Sequence, residues 1–425
     1  MRTIYTFIFA ILLFVDVLPR VQSDVFTIPL KSKKAITRRD KFNRRDLKTW
    51  QISSEPKNTV YYGSVGFGPK GKEQFFPVMF DTGSADLWVM SIDCNSPGCN
   101  RPKKYDPRQD TDYVDLQSRF ELEYIVGKVT GEDSTTTLNL NGFEIPKQDF
   151  GFIVTVTDDL SEFAYVGIMG MAPGPGPNNQ ITPINNLINN KQLDHPQYSF
   201  LFGREADNGV SELTIGGTNP DRIDGVITWS ENDLYNQGRW LIDVDALLVN
   251  GQEIRFNDDR EMFIDSGYEK IHMSIADARE VYAKIPAAKE LDGGKFSIPC
   301  KNHDYVISLR IEGVVWAMDA RDFIIPDNPA GDQCVGAIES QYDVGAANQW
   351  VVGTAFLKNV YTVFDIGEDE VGFAKIKAPA PKQNNPLSAG SSLGQNKTSN
   401  GSVHKRSYNN KLYSTQRFKK KIIIT

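Results

Sequence analysis

The sequence predicts a mostly β protein, two related β-rich lobes with a central cleft between them. Three observations lead there. A short pattern occurs twice: Phe80-Asp81-Thr82-Gly83-Ser84 and Ile264-Asp265-Ser266-Gly267-Tyr268 share an apolar residue, Asp, a hydroxyl residue and Gly. Each copy follows an apolar run and is matched downstream by an apolar-apolar-Gly segment. Gly170 of Ile168-Met169-Gly170 lies 89 residues from Asp81, and Gly353 of Val351-Val352-Gly353 lies 88 residues from Asp265. Such equal spacing marks an internal repeat of whole domains. Between these landmarks the chain is made of short, alternating apolar runs broken by Gly, Pro and Asn, the signature of strands and turns. A lone Asp-Thr-Gly would be an ordinary turn; the matched pair places one carboxylate at the same point of each half.

Taken in order, residues 1–23 read as a secretory signal peptide. Met1-Arg2 precedes the apolar run Phe7 to Val15, and Val21-Gln22-Ser23 supplies a small-residue cleavage site. The run is far short of the roughly 20 residues that a spanning helix needs, so no membrane span is expected. The protein is expected to be secreted and extracellular, or routed to a vacuole. Residues 24–45 are basic, with dibasic pairs at Arg38-Arg39 and Arg44-Arg45. They read as a prosegment held by charge against the body of the protein, in preference to a disordered leader.

That body is acidic. Residues 46–377 carry 28 basic and 51 acidic side chains, a net of −23, whereas 1–45 carry +7 and 378–425 carry +9. An acidic body argues against nucleic-acid binding, which needs clustered Lys and Arg. It suits a protein that works in acid, although a merely soluble surface would look similar. The four histidines are scattered and no Cys/His spacing suggests a metal, so no metal or other cofactor is expected. Secretion makes the four cysteines candidates for two disulfides. Cys94 and Cys99 bracket a short loop, and Cys300 and Cys334 are close enough to be the other pair; sequence alone leaves the remaining pairings open.

The first lobe is placed at 46–225 and carries Asp81. Tyr61 to Gly68 and Phe75 to Phe80 predict a hairpin around Pro69-Lys70-Gly71, and Leu87 to Met90 a further strand. Phe120 to Val126 alternates, turns at Gly127-Lys128 and returns through Val129-Thr130-Gly131. A helix is predicted over Pro183 to Leu193, with Thr182 as N-cap and Pro at the first helical position. The second lobe, 226–377, carries Asp265. Its predicted helix runs from Ile275 to Ile285, capped by Ser274 and closed by Pro286. With no long linker between them, the lobes are expected to pack tightly. Residues 378–425 change abruptly to Pro, Asn, Ser, Gly and Lys, and read as a disordered basic tail. It carries glycosylation sequons at Asn396 and Asn400, and its charge would suit contact with an anionic surface.

These residues resemble the pepsin-like aspartic proteases, and the resemblance covers nearly all of 24–377. It includes Ile28-Pro29-Leu30, both cysteine loops, Asp81-Thr82-Gly83-Ser84 with Leu87-Trp88-Val89, and Tyr124. Leu213-Thr214-Ile215-Gly216-Gly217 and Thr362-Val363-Phe364-Asp365 match as well. The resemblance implies the bilobal pepsin-like fold and a monomeric endopeptidase, made as a zymogen, that acts on peptide or protein substrates. Asp81 and Asp265 would be its catalytic pair. Two carboxylates about 3 Å apart share one proton; the ionised member activates a water and the protonated one donates to the scissile carbonyl. Thr82, Gly83, Ser84, Ser266 and Gly267 would support the pair, the hydroxyls by cross-linking the two loops. Tyr124, on a hairpin with Gly127 near its turn, would close over the peptide with Trp88 behind it.

The chain departs from the family pattern at several places. Tyr268 stands where Ser or Thr is usual, so it would narrow the cleft or point elsewhere, and Glu269 and Lys270 bring charge beside it. Ile125-Val126-Gly127-Lys128 replaces a Gly-Thr-Gly-Ser-like turn, and Val166 and Thr354 stand where Asp is frequent. The competing reading is a catalytically inactive homologue kept as a binding protein, its cleft reshaped by Tyr268, Glu269 and Lys270.

Overall fold

The computed structural model describes residues 48–54, 60–124, 127–157, 160, 164–207, 209–233, 238–301, 305–326, 333–340 and 346–378. The expected signal peptide and prosegment, and the tail with Asn396 and Asn400, lie outside them. The first half contributes β1 (Lys48–Ser54), β2 (Tyr61–Phe67), β3 (Gln74–Asp81), β4 (Leu87–Met90) and β5 (Val114–Glu123). After these come β6 (Lys128–Leu140), β7 (Phe143–Val156), β8 (Gly167–Gly170), β9 (Gln197–Leu201) and β10 (Ser211–Ile215). The next strands are β11 (Ile223–Glu231), β12 (Leu241–Val244), β13 (Ala246–Val249), β14 (Gln252–Glu253), β15 (Arg260–Ile264) and β16 (Ile271–His272). Then follow β17 (Lys289–Leu291), β18 (Lys295–Pro299), β19 (Ile307–Ile311), β20 (Val314–Ala317) and β21 (Ile324–Pro326). The last are β22 (Gln333–Gly336), β23 (Ile338–Glu339), β24 (Gln349–Val352), β25 (Tyr361–Asp365) and β26 (Glu370–Ile376). The protein is thus mostly β, as its sequence predicts.

The repeat seen in the sequence is a repeat of topology. β3, β8, β4 and β7 lie side by side with parallel, antiparallel and parallel pairings. β15, β24, β16 and β23 lie in the same order with the same three pairings. In each half two strands consecutive in the chain are separated by a later one: β8 slots between β3 and β4, and β24 between β15 and β16. The Asp loop therefore has to cross over the inserted strand, and the glycine closing that strand lies directly beneath it. A Cβ on Gly170 would stand 2.2 Å from the Ala85 carbonyl carbon, and one on Gly353 would stand 2.1 Å from the Tyr268 oxygen. No real Cβ approaches backbone that closely. The 89- and 88-residue spacings record this crossing.

The halves are joined by a sheet to which both contribute, in the order β1-β10-β9-β25-β26-β11. Its seam is antiparallel, with Phe200 opposite Thr362 and Gln197 opposite Asp365. Aromatic side chains fill the space between this sheet and the Asp loops. Tyr198 stacks on Phe364 with ring centroids 4.9 Å apart, Phe200 stacks on Phe202 at 4.9 Å, and Phe80 lies 6.5 Å from Phe200. Each such buried ring contributes about 1.5–3 kcal/mol. The two Asp loops thus rest on packed aromatic core rather than on mobile surface.

Local structure follows the expected signals, with shorter ends. β2 and β3 form the hairpin around residues 68–73, with Phe67 opposite Gln74. The first predicted helix covers Pro183–Asn189, with the Thr182 side chain accepting from the Asn185 N–H, and the chain leaves it at Asn190 rather than at Leu193. The second covers Ile275–Tyr282 with Ser274 accepting from the Asp277 N–H, and stops before Ile285. The turn expected at Gly127-Lys128 comes earlier. β5 ends at Glu123, and the Tyr124 N–H donates to the Gly127 carbonyl at 2.9 Å, so Lys128 already belongs to β6. Cys94 is joined to Cys99 and Cys300 to Cys334. Among the described residues no helix is long and apolar enough to cross a membrane.

Candidate active site

The loop after β3 and the loop after β15 meet back to back. Thr82 and Ser266 cross-link them reciprocally: the Thr82 N–H donates to Ser266 Oγ at 3.0 Å, and the Ser266 N–H donates to Thr82 Oγ1 at 2.9 Å. Each hydroxyl then donates across to the opposite strand, Thr82 Oγ1 to the Ile264 carbonyl at 2.7 Å and Ser266 Oγ to the Phe80 carbonyl at 2.8 Å. Both residues are buried, and the four hydrogen bonds close a two-fold arrangement that engages both N–H groups and both hydroxyls.

This clamp brings Asp81 and Asp265 together. A Cβ on Gly83 would lie 2.4 Å from the Asp265 carboxyl carbon, and one on Gly267 would lie 2.4 Å from Asp81 Oδ1. Each glycine is bare because the other half's carboxylate occupies the space. Within its own loop each carboxylate accepts from the following glycine, Gly83 N–H to Asp81 Oδ1 at 2.9 Å and Gly267 N–H to Asp265 Oδ1 at 2.8 Å.

The symmetry stops there. Asp81 also accepts a hydrogen bond from Ser84 Oγ, and Asp265 has no such partner from Tyr268. Burial, then the neighbouring Asp81 charge and the hydrogen bond between the two carboxyls, hold Asp265 well above the usual carboxylate range. The Gly267 N–H and the Arg239 guanidinium pull the other way. Asp265 therefore keeps a proton where an ordinary carboxyl has lost it.

Tyr268 does not turn its hydroxyl toward the carboxyl pair. It donates to Glu339 Oε1 at 2.7 Å, and Lys270 Nζ reaches Glu339 Oε2 at 2.7 Å. Glu339 is buried in β23, three strands along the sheet from the strand that leads to Asp265. The tyrosine and lysine that depart from the family pattern thus satisfy one buried carboxylate. Thr354, the other departure in this half, is buried, and its N–H donates to the Tyr268 carbonyl at 2.8 Å. Val166 is likewise buried, bonded through its backbone to Pro77 and Met90.

On the other side stands the β5–β6 hairpin. Tyr124 accepts from Trp88 Nε1 at 2.7 Å, and burial raises its hydroxyl well above the ordinary phenol range. The tyrosine is therefore a neutral, oriented group. Trp88 itself is fully buried, and its indole N–H meets the hairpin through Tyr124. Gly127 forms the far end of the turn, and Lys128 and Glu121 pair across its base. Ile125 and Val126 lie outside the described residues.

Behind the hairpin lies a residue the sequence reading passed over. Asp86, five positions after Asp81, is fully buried, and neither carboxyl oxygen is in hydrogen-bonding geometry with a described residue. Burial pushes it up to about 6; Asn178, close by but outside good hydrogen-bonding geometry, partly offsets this, and the Asp133 charge adds to it. The folded state thus holds this proton above the pH at which the unfolded chain releases it. Stability is lost as pH rises from about 4 to 6, because the unfolded state then binds fewer protons. We expect Asp86→Asn to leave the melting temperature nearly unchanged at pH 4 and to raise it at pH 7, by at most about 3 kcal/mol of stability. Calorimetry at both pH values checks this; an equal change at both would contradict it.

Glu339 and Arg239 were likewise not singled out from sequence. Glu339 comes from a two-residue strand with no pattern of its own. Arg239 had one available signal, its place directly before Trp240.

The family model described as eukaryotic aspartyl protease matches residues 60–376. Gastricsin of Cavia porcellus is 28% identical over 361 residues, covering 81% of this chain and 89% of that protein. Cathepsin E of Rattus norvegicus is 27% identical over 321 residues, covering 74% of this chain and 79% of that protein. Cathepsin E-B of Xenopus laevis is 26% identical over 387 residues, covering 84% and 95%.

Proposed function

This chain belongs to the eukaryotic aspartyl protease family, and we propose that it is an active endopeptidase, secreted and made as a zymogen, with Asp81 and Asp265 as its catalytic pair. One observation carries the reading. The Thr82–Ser266 clamp and the paired glycines bring two carboxyls side by side, Asp265 against an Asp81 that accepts from two donors. In this reading Asp81 is the base. It takes a proton from a water, whose oxygen attacks the scissile carbonyl carbon, while Asp265 gives its proton to the carbonyl oxygen. The resulting gem-diol collapses as Asp81 passes its proton to the amide nitrogen, Asp265 takes a proton from a gem-diol hydroxyl and the C–N bond breaks, so that Asp265 again holds the proton of the pair. Tyr124, oriented by Trp88, closes over the peptide from the hairpin side.

The inactive alternative rested on Tyr268, Glu269 and Lys270 blocking the cleft. With the Tyr268 hydroxyl and the Lys270 ammonium both engaged by Glu339, nothing favours that reading. The basic prosegment at 24–45 would be held against the acidic body at neutral pH and released as the carboxylates protonate. The test is incubation of the processed protein with a denatured protein substrate from about pH 3 to 7, with and without a statine-containing peptide. Cleavage blocked by the statine peptide is expected. A correctly processed protein that cleaves at no pH would sink the proposal.

A further inference from the structure

Arg239 is placed by three constraints. The residue before it, Gly238, accepts from the Gly174 N–H at 3.1 Å, so the segment sits where the first half's 174 loop meets the second half. The residue after it, Trp240, is buried and donates through Nε1 to Tyr198 Oη at 2.8 Å and to the Met171 carbonyl at 3.2 Å. The Trp240 carbonyl accepts from the Ile264 N–H at 2.9 Å. The backbone is therefore fixed on both sides of an arginine whose side chain is exposed.

That side chain lies over the face of Phe263, 5.3 Å from guanidinium carbon to ring centroid. Phe263 and Asp265 are two apart on an extended segment, so they point to the same side, about 6.6 Å apart along the chain. The guanidinium is thereby placed on the side of the sheet that Phe263 shares with Asp265, and its charge, the smallest of the influences there, is felt at Asp265. Several other arginines of this acidic body are paired with carboxylates: Arg204 with Asp322, Arg222 with Glu212, Arg260 with Asp277 and Arg279 with Glu290, whereas Arg101 and Arg255 pair with no described carboxylate. Arg239 forms no ion pair with a described residue, although Asp233 and Asp243 lie in neighbouring segments. An exposed guanidinium held over Phe263, with no ion-pair partner among the described residues, can offer its donors to a ligand.

We propose that Arg239 is a specificity-determining residue, reading an anionic side chain of the substrate (Glu, Asp or phosphoserine) about two residues from the scissile bond. The inference rests on the endopeptidase reading and deepens it by naming a substrate class. Arg remains charged at every working pH, whereas a substrate Glu loses its charge near pH 4. The selectivity is therefore set by the substrate's ionisation.

The experiment uses the processed full-length protein and peptides that carry Glu or Gln at each of the three positions on either side of one apolar cleavage pair. The wild type is expected to prefer Glu over Gln at one position by about 5- to 20-fold in kcat/KM at pH 5.5. That ratio falls toward one at pH 3.5, where phosphoserine at the same position keeps its advantage. In Arg239→Gln the ratio collapses to about one at both pH values. If Arg239 only tunes Asp265, the variant shifts the pH profile equally for both peptide series and leaves the ratio intact, which overturns the proposal. A wild type with no position-dependent preference overturns it as well. If neither series is cleaved, the endopeptidase reading has failed. The Kd ratio of Glu and Gln versions of a statine-containing peptide, in wild type and Arg239→Gln, then decides the role of Arg239 by itself.

Discussion

Asp81→Asn is expected to lower kcat/KM on a peptide substrate by about 10²- to 10⁴-fold, the range in which a positioned acid–base group contributes. The substitution keeps the shape of the side chain and removes its ability to take a proton. It also converts one acceptor oxygen into a donor, so the amide no longer accepts from both Gly83 N–H and Ser84 Oγ. Asp265→Asn is expected to cost a comparable factor, because in the pair it supplies the proton that Asp81 cannot. Thermal unfolding at pH 5 separates chemistry from folding: both variants should melt close to the wild type while losing turnover. Loss of activity in one variant alone would contradict a two-carboxylate mechanism.

Gly267→Ala is expected to damage folding and chemistry together. The added methyl would stand 2.4 Å from Asp81 Oδ1, 2.7 Å from its carboxyl carbon and 3.2 Å from Asp265 Oδ1. None of these atoms is the free end of a long side chain. Asp81 is fixed by its own hydrogen bonds, and the loop is fixed by the Thr82–Ser266 clamp. Relief requires the two loops to separate. Overpacking of this kind costs about 1–3 kcal/mol, and moving reacting groups apart by about 1 Å is worth a further 10²-fold in rate. Denaturant unfolding and kcat/KM measured on the same preparation check both effects. An alanine variant with wild-type kcat/KM would show that the carboxyls are not held as close as the glycine implies.

Much of this site could be read from the chain because the repeat is written in residue types that local physics demands. Asp81 and Asp265, their glycines and the distant Gly170 and Gly353 all follow from one loop crossing one inserted strand, so they recur at matched spacing. Helix starts were legible for the same reason: Thr182 and Ser274 cap through their own side chains. Helix ends were less so, since Asn190 and Ala283 carry no strong stop signal and tertiary packing decides. What the sequence could not reveal were partners from far along the chain. For Tyr268 the sequence left open whether it narrows the cleft or points elsewhere, because the group that accepts its hydroxyl hydrogen bond, Glu339, comes 71 residues later. Asp86 carries no local sign of burial; its place between the Asp81 loop and β4, which packs against β8, buries it.

The seam between β9 and β25 has a consequence for how the chain is made. Phe200 pairs with Thr362, so the shared sheet cannot be finished until almost the whole described chain exists. Contacts this distant in sequence slow folding, because chain entropy is lost before they form. During synthesis the first half emerges with β9 presenting an unpaired edge, able to recruit a strand from any neighbouring chain. The aromatic ladder of Tyr198 and Phe200 is then uncovered on the same strand. Only when residues 361–365 arrive does that edge acquire its own partner, so the last strands to be synthesised are the ones that make the first half safe.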